Sequence, residues 1–204
     1  MSDYRLVLAT GNRHKVEELL AILQPLMPGL TANQIATTRD LDVPDPVEDA
    51  PTFEGNSLIK ARALAAATGL PTVADDSGLS VDILGGSPGI FSARWAGLHG
   101  DDEANLRLLL AQLSDVKPEH RGGDFVCAAA LVTPSGEETV EIGKMRGSLA
   151  FEPVGENGFG YDPIFVPEGY DCTSAELSPQ EKNRISHRAK AFTALAPKIV
   201  EALS

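Results

Sequence analysis

Strand-like apolar runs alternate with amphipathic helical stretches through the first half of the chain, and two long strand candidates then face each other across a tight turn. Arg5 to Thr10 reads as a first strand. Lys15 to Leu26 has helical spacing, with Val16, Leu19, Leu20 and Leu23 on one face. Ile35 to Thr37 reads as a second strand. A helix over Thr52 to Thr68 carries Leu58, Ala61, Leu64 and Ala65, and Gly69 with Pro71 stops it. The next apolar run, Thr72-Val73-Ala74, is expected to leave its strand at Asp75 and Asp76 and to turn at Ser77-Gly78. After the loop Gly85 to Gly89, Asp101 or Asp102 caps a helix running to Leu113. Asp124 to Thr133 and Glu138 to Gly147 flank Pro134-Ser135-Gly136 as a hairpin. Ser178-Pro179-Gln180-Glu181 is a capping box with proline at the first helical position, opening a helical region broken at Ser186. Helix–strand alternation calls for parallel pairing through crossovers, while the late hairpin calls for antiparallel pairing. Together they predict a mixed α/β fold, not a simple parallel wind.

A chain of 204 residues suits one sizeable domain, or two closely packed lobes, and shows no internal repeat or linker. No apolar run approaches a transmembrane span, and the N-terminal residues lead straight into a strand, so a cytoplasmic location is expected. The net charge of −12 argues against nonspecific binding to nucleic acid or to an anionic membrane. A chain this acidic binds a polyanion only through local cations or a metal. Cys127 and Cys172 make neither a metal motif nor a disulfide framework; Cys127, inside an apolar strand, reads as a small buried hydrophobe.

Four segments carry residues suited to chemistry. Asp75 and Asp76 place two carboxylates side by side, and alternation along a strand lets only one of them face a site squarely. Like charges this close need a proton, a cation or solvent, and a divalent cation is the obvious relief, although Asp, Ser and Gly also suit a cap or turn. Thr10-Gly11-Asn12-Arg13-His14-Lys15 lies between a strand and a helix. Backbone N–H groups and a helix N-terminus hold phosphate at such a place, as a plain strand–helix turn also lies there. It lacks the Walker spacing. Gly158-Phe159-Gly160-Tyr161-Asp162-Pro163 offers flat rings and one acid, for a ligand base or for core packing. Lys182 and Ser186-His187-Arg188 supply donors near a helix start, or a solvated basic face. The acidic loop from Asp40 to Asp49 is solvated surface by default; Glu48 stands out because it precedes the Thr52 helix start.

Taken together these segments resemble one family. The residues concerned are Thr10-Gly-Asn-x-x-Lys15, Phe53-x-x-Asn56 with Lys60, Ala74-Asp-Asp-Ser-Gly78, Gly86-x-Pro-Gly89 followed by Ser92-Ala-Arg94, Gly158-Phe-Gly-Tyr-Asp-Pro-Ile-Phe165, and Ser186-His-Arg188. In this order, across essentially the whole chain, they resemble the inosine triphosphate pyrophosphatase family, which hydrolyses non-standard purine nucleoside triphosphates. The resemblance implies a single domain over residues 1–204: an elongated mixed α/β molecule with a long central sheet, two lobes and an active-site cleft between them. It implies a homodimer requiring magnesium and acting on ITP, dITP or XTP. By the same resemblance Asp76 is the catalytic acid/base and a metal ligand, with Glu48 the second metal ligand. Thr10, Gly11, Asn12, Arg13, His14, Lys15, Ser77 and Lys182 would bind the triphosphate. Phe159, Gly160, Tyr161, Asp162, His187 and Arg188 would surround the base. Two positions depart from the pattern. Val47-Glu48-Asp49 stands where relatives often carry Glu-Glu-Thr, and Gly55 stands where many carry Glu.

Overall fold

Burial and alternation build the sheet. In the computed structural model, which describes residues 3–41 and 43–204 (the side chain of His14 excepted), Leu6, Val7 and Leu8 are all fully buried. A strand apolar on both faces must be covered on both faces. This strand, β1 (Leu6–Leu8), pairs in parallel with β2 (Ile35–Thr37) on one side, and with β3 (Thr72–Val81) on the other. The six-stranded sheet runs β2-β1-β3-β4-β5-β6, where β4 is Gly122–Val132, β5 is Glu138–Leu149 and β6 is Phe165–Pro167. β4 and β5 are joined by a turn in which Thr133 accepts from Gly136 and donates to Glu137. β5 pairs antiparallel with β6. The expected mixed α/β sheet is therefore present.

The chain divides into two compact units: Met1–Asp76, Cys127–Gly143 and Arg188–Ser204 form one, and Ser77–Val126 with Lys144–His187 form the other. In the first unit the helices α1 (Arg13–Leu23), α2 (Phe53–Thr68) and the C-terminal α5 (His187–Leu203) cover the strands. Leu6, Leu8 and Val73 pack with Leu19 and Leu23 of α1 and with Phe192, Leu195 and Ile199 of α5. Their neighbours on the opposite pleat go the other way. Ala74, Ala130 and Val132 meet Ala61 and Ala65 of α2, and Val7 meets Leu64. So α1 and α5 lie against one face of these strands and α2 against the other.

In α2 the Thr52 hydroxyl accepts from the Gly55 N–H, and Gly69 closes the helix with a φ of 68°, which glycine adopts without a Cβ penalty. In the second unit α3 (Asp102–Gln112) is capped by Asp101. Its Leu106 and Leu109 pack with Leu79, Phe125, Met145, Tyr161 and Phe165. The short α4 (Pro179–Ile185) starts from Ser178, whose hydroxyl accepts from the Glu181 N–H. No helix among the described residues is long and apolar enough to cross a membrane.

One expectation about local structure fails. Asp75 and Asp76 do not end their strand; β3 continues through Ser77-Gly78 to Val81. Asp, Ser and Gly have poor β-propensity, but propensity yields to sheet context. Here Leu79 and Val81 are fully buried in the core of the second unit, which rewards continuing the strand. The paired acids thus sit in mid-strand.

Candidate functional site

Alternation along β3 sends its two acids to opposite faces of the first unit. Val73 faces α1 and α5, Ala74 faces α2, and the pattern continues: Asp75 meets α1 and α5, and Asp76 meets α2. Asp75 is almost fully enclosed, its side chain only 2% exposed. The Lys15 ammonium donates to both of its oxygens, at 2.8 and 3.0 Å, and the Arg188 Nε donates to one of them at 3.1 Å. Burial pushes the Asp75 carboxyl up, but the charges of Lys15 and Arg188 outweigh it and hold the group well below the usual carboxylate range. Burial likewise disfavours the Arg188 cation, and Asp75 more than restores it.

Asp76 has different surroundings. Its side chain is 17% exposed and its Oδ2 accepts from the Asn56 amide at 3.1 Å. One turn further along α2, Lys60 places its ammonium 3.9 Å from Asp76 Oδ1 and 3.0 Å from Glu48 Oε2. Asn56 and Lys60 share a helix face because they are four residues apart. Glu48 and Asp76, 28 positions apart in the chain by their numbering, are thus drawn to a single cation. Two carboxylates converging on one ammonium form an all-oxygen, doubly negative donor set. That chemistry fits a hard divalent ion such as magnesium, which fills its remaining positions with water and phosphate oxygens. Among the described residues no three His, Cys, Asp or Glu side chains surround one point, so any such ion takes most of its ligands from elsewhere.

The loop before α1 is shaped by Thr10. Its hydroxyl accepts from the Asn12 N–H at 3.0 Å and its carbonyl accepts from the Thr38 N–H at 3.1 Å. Gly11 is half-buried, and Asn12 and Arg13 are exposed at the helix start, the end where N–H groups and the dipole favour an anion. Arg13 lies 3.7 Å from Asp40, whose other oxygen accepts from the Thr37 N–H and hydroxyl. The His14 side chain lies outside the described residues. Ser77, next along β3, is half-buried and belongs to the second unit.

In the second unit the glycine-rich segment folds around Asp162. Its buried carboxylate accepts from the Phe159 N–H at 2.8 Å and from the Lys182 ammonium. Gly158 is required there. Its φ is +81°, and a Cβ would land on the Asp162 carboxylate and 2.9 Å from Lys182 Nζ. Phe159 is left 66% exposed, with Lys182 Nζ 5.1 Å from its ring centroid. The Gly160 N–H donates to Asp102, and the His187 ring stacks on Phe125 at 5.1 Å and 12°.

Three residues expected at the site are held by protein groups in this structure. Tyr161 takes the core-packing alternative. It is 4% exposed in the core and its hydroxyl donates to the Ser92 carbonyl at 2.9 Å, so the one outward ring of the segment is Phe159. Lys182, expected on phosphate, is drawn to Asp162. Arg188, expected at a base, is drawn to Asp75. Sequence reasoning also gave Asn56 and Lys60 no role, though their spacing on a well-predicted helix places both on one face.

Comparison with known proteins follows these features across the chain. The description Ham1 family matches residues 6–198. The dITP/XTP pyrophosphatase of Streptomyces avermitilis is 59% identical over 199 residues, covering 98% of each chain. That of Streptomyces coelicolor is 57% identical over 199 residues, again covering 98% of both. Among solved structures, the nucleoside-triphosphatase / dITP/XTP pyrophosphatase of Mycobacterium abscessus matches with a TM-score of 0.80 at 50% identity, over 95% of this chain and 99% of that one. A HAM1 protein from Coxiella burnetii matches with a TM-score of 0.88 at 39% identity, over 98% and 100%. A full-length sequence match and a full-length structural match agree: the chain belongs to the Ham1 family.

Proposed function

We propose that this chain is a nucleoside-triphosphate pyrophosphohydrolase that converts non-standard purine nucleotides (dITP, ITP and XTP) to the monophosphate and pyrophosphate. Relatives named for dITP and XTP, identical at more than half their positions over nearly their whole length, support the substrate class. The observation that carries the chemistry is the division of labour on β3. Asp75 is neutralised by Lys15 and Arg188, while Asp76 and Glu48 share the Lys60 ammonium on the other face.

Asp76 is the catalytic residue of this proposal. Its carboxylate takes a proton from water as the water oxygen bonds to the α-phosphorus. The bond from that phosphorus to the bridging oxygen breaks, and pyrophosphate leaves with the electron pair. Magnesium held by Asp76 and Glu48 would neutralise the phosphate oxygens and favour attack. Lys60, beside Asp76 and Glu48, would offset charge on the phosphates, and the phosphate role expected of Lys15 belongs to the same proposal. The helix start at Thr10 to Arg13 presents backbone N–H groups to the same kind of anion. On the second unit the exposed Phe159 ring suits the face of a purine, and the Asp162–Lys182 pair offers donor and acceptor groups to its edge. A 6-carbonyl with an N1–H fits such a pair. An adenine amino group would set donor against donor, at about 1–3 kcal/mol for a buried mismatch. Magnesium dependence, a homodimeric assembly and a cytoplasmic location belong to the same proposal.

A panel of ITP, dITP, XTP, ATP, GTP and modified pyrimidine triphosphates, assayed for pyrophosphate with magnesium and with EDTA, tests it. Rapid pyrophosphate release from the first three, abolished by EDTA, is the expected result. Inactivity on all three, or a preference for a modified pyrimidine, would refute it.

A further inference from the structure

Two side chains of α2 reach from the same helix face to the same two targets. Lys60 contacts Glu48 on the loop before the helix and Asp76 on β3; Asn56 contacts the Ala50 backbone on that loop and, again, Asp76. The Lys60 bridge is ionic, so another cation or an anionic substrate would compete for its partners. The Asn56 bridge has no charge to exchange. Its amide orientation is fixed from both ends: the Ala50 N–H needs an oxygen, supplied by Asn56 Oδ1 at 3.0 Å, and a carboxylate needs a donor, supplied by Asn56 Nδ2 at 3.1 Å. Asn56 is 2% exposed, so water does not substitute for either bond. The Asn56 amide takes Asp76 Oδ2, and Oδ1 is the oxygen turned toward Lys60.

We propose that Asn56 is the positioning residue of this centre. It holds the Asp76 carboxylate at a fixed rotation and ties the Glu48-bearing loop to it, so that both acids stay aimed at one point when Lys60 lets go. This inference rests on the pyrophosphohydrolase reading above, and the assay separates the two.

Wild-type enzyme is first assayed on dITP with magnesium; absence of pyrophosphate release sinks the reading itself. Asn56→Ala and Asn56→Asp are then compared for kcat, KM, Tm and Mn²⁺ affinity of the substrate-free protein. N56D preserves side-chain volume and the acceptor for Ala50 but sets an anion against Asp76. N56A removes both bonds. Positioning predicts that kcat falls 10- to 100-fold in N56A, with KM within threefold and Mn²⁺ affinity weakened at least fivefold. It also predicts that N56D turns over no faster than N56A. A residue that only braces the loop predicts the reverse order, since N56D keeps the loop bond. The inference is overturned if kcat in either variant stays within twofold of wild type, if N56D is clearly the more active, or if the loss lies in KM alone. Should N56A not fold, N56D carries the test; if neither folds at the assay temperature, the role is structural and the inference fails.

Discussion

Asp75→Asn separates the structural acid from the reactive one. The substitution keeps the shape of a side chain that is 2% exposed but removes the charge lying between Lys15 at 2.8 Å and Arg188 at 3.1 Å. At about 3 Å and an effective dielectric of about 20, each pair is worth roughly 5 kcal/mol of direct attraction. Much of that offsets the desolvation of the three groups. What remains on removing one partner is the cost of cations left uncompensated in a closed site, about 3–5 kcal/mol. Lys15 and Arg188 are 22% and 15% exposed, so neither relaxes freely into solvent. For a chain of this size that loss lowers Tm by about 6–20 °C. Asp76→Asn, at a position 17% exposed against 2% for Asp75 and with Lys60 no nearer than 3.9 Å, should lose less, about 1 kcal/mol. Thermal unfolding followed by circular dichroism at pH 7 measures both. A D75N midpoint within 2 °C of wild type, or a larger loss in D76N than in D75N, would refute the assignment of the two acids.

Acid sensitivity follows from the same group. The Asp75 carboxyl is lower in the folded protein than its ordinary value of 3.8, so its stabilisation is complete above about pH 4 and is lost as pH falls through the folded value. Urea midpoints measured from pH 7 to pH 2 should drop more steeply in wild type than in D75N, and parallel curves would contradict this. Gly158→Ala forces a Cβ onto the Asp162 carboxylate at a φ of +81°. It should cost about 1–3 kcal/mol in chemical denaturation, and a neutral effect would show that the loop is not so constrained. Phe159→Ala removes a ring that is 66% exposed, so Tm should hold within 2 °C while KM for dITP rises about tenfold. Unchanged KM would remove Phe159 from substrate contact.

The strands and helices were largely legible because their signals are local. Thr52 and Gly69 bracket α2, Ser178 and Glu181 start α4, and the β2 residues Ile35 to Thr37 come out as read. Residues 75–78 were misread for the opposite reason. Asp-Asp-Ser-Gly carries turn chemistry, and only the burial of Leu79 and Val81 against α3 keeps the strand going. Alternation did say that the two acids would part company, and β3 bears this out: one meets α1 and α5, the other α2. What a linear pattern does not carry is the choice of partner. Lys15 and Arg188 stand 173 positions apart by their numbering and meet at one carboxylate. Tyr161 and Phe159 look alike in sequence, yet one is pinned inward by the Ser92 carbonyl and the other is left in solvent. Asn56 and Lys60 showed only as a motif until the fold placed both beside Asp76.

Hydrolysis of dITP by the magnesium-loaded enzyme in ¹⁸O-labelled water, with the products resolved by mass spectrometry, tests the central claim most directly. Attack of water on the α-phosphorus, with Asp76 accepting its proton, predicts one labelled oxygen in the monophosphate and none in pyrophosphate, with turnover abolished in a folded D76N protein. Label in the pyrophosphate, release of inorganic phosphate with a nucleoside diphosphate, or undiminished turnover by D76N would contradict it.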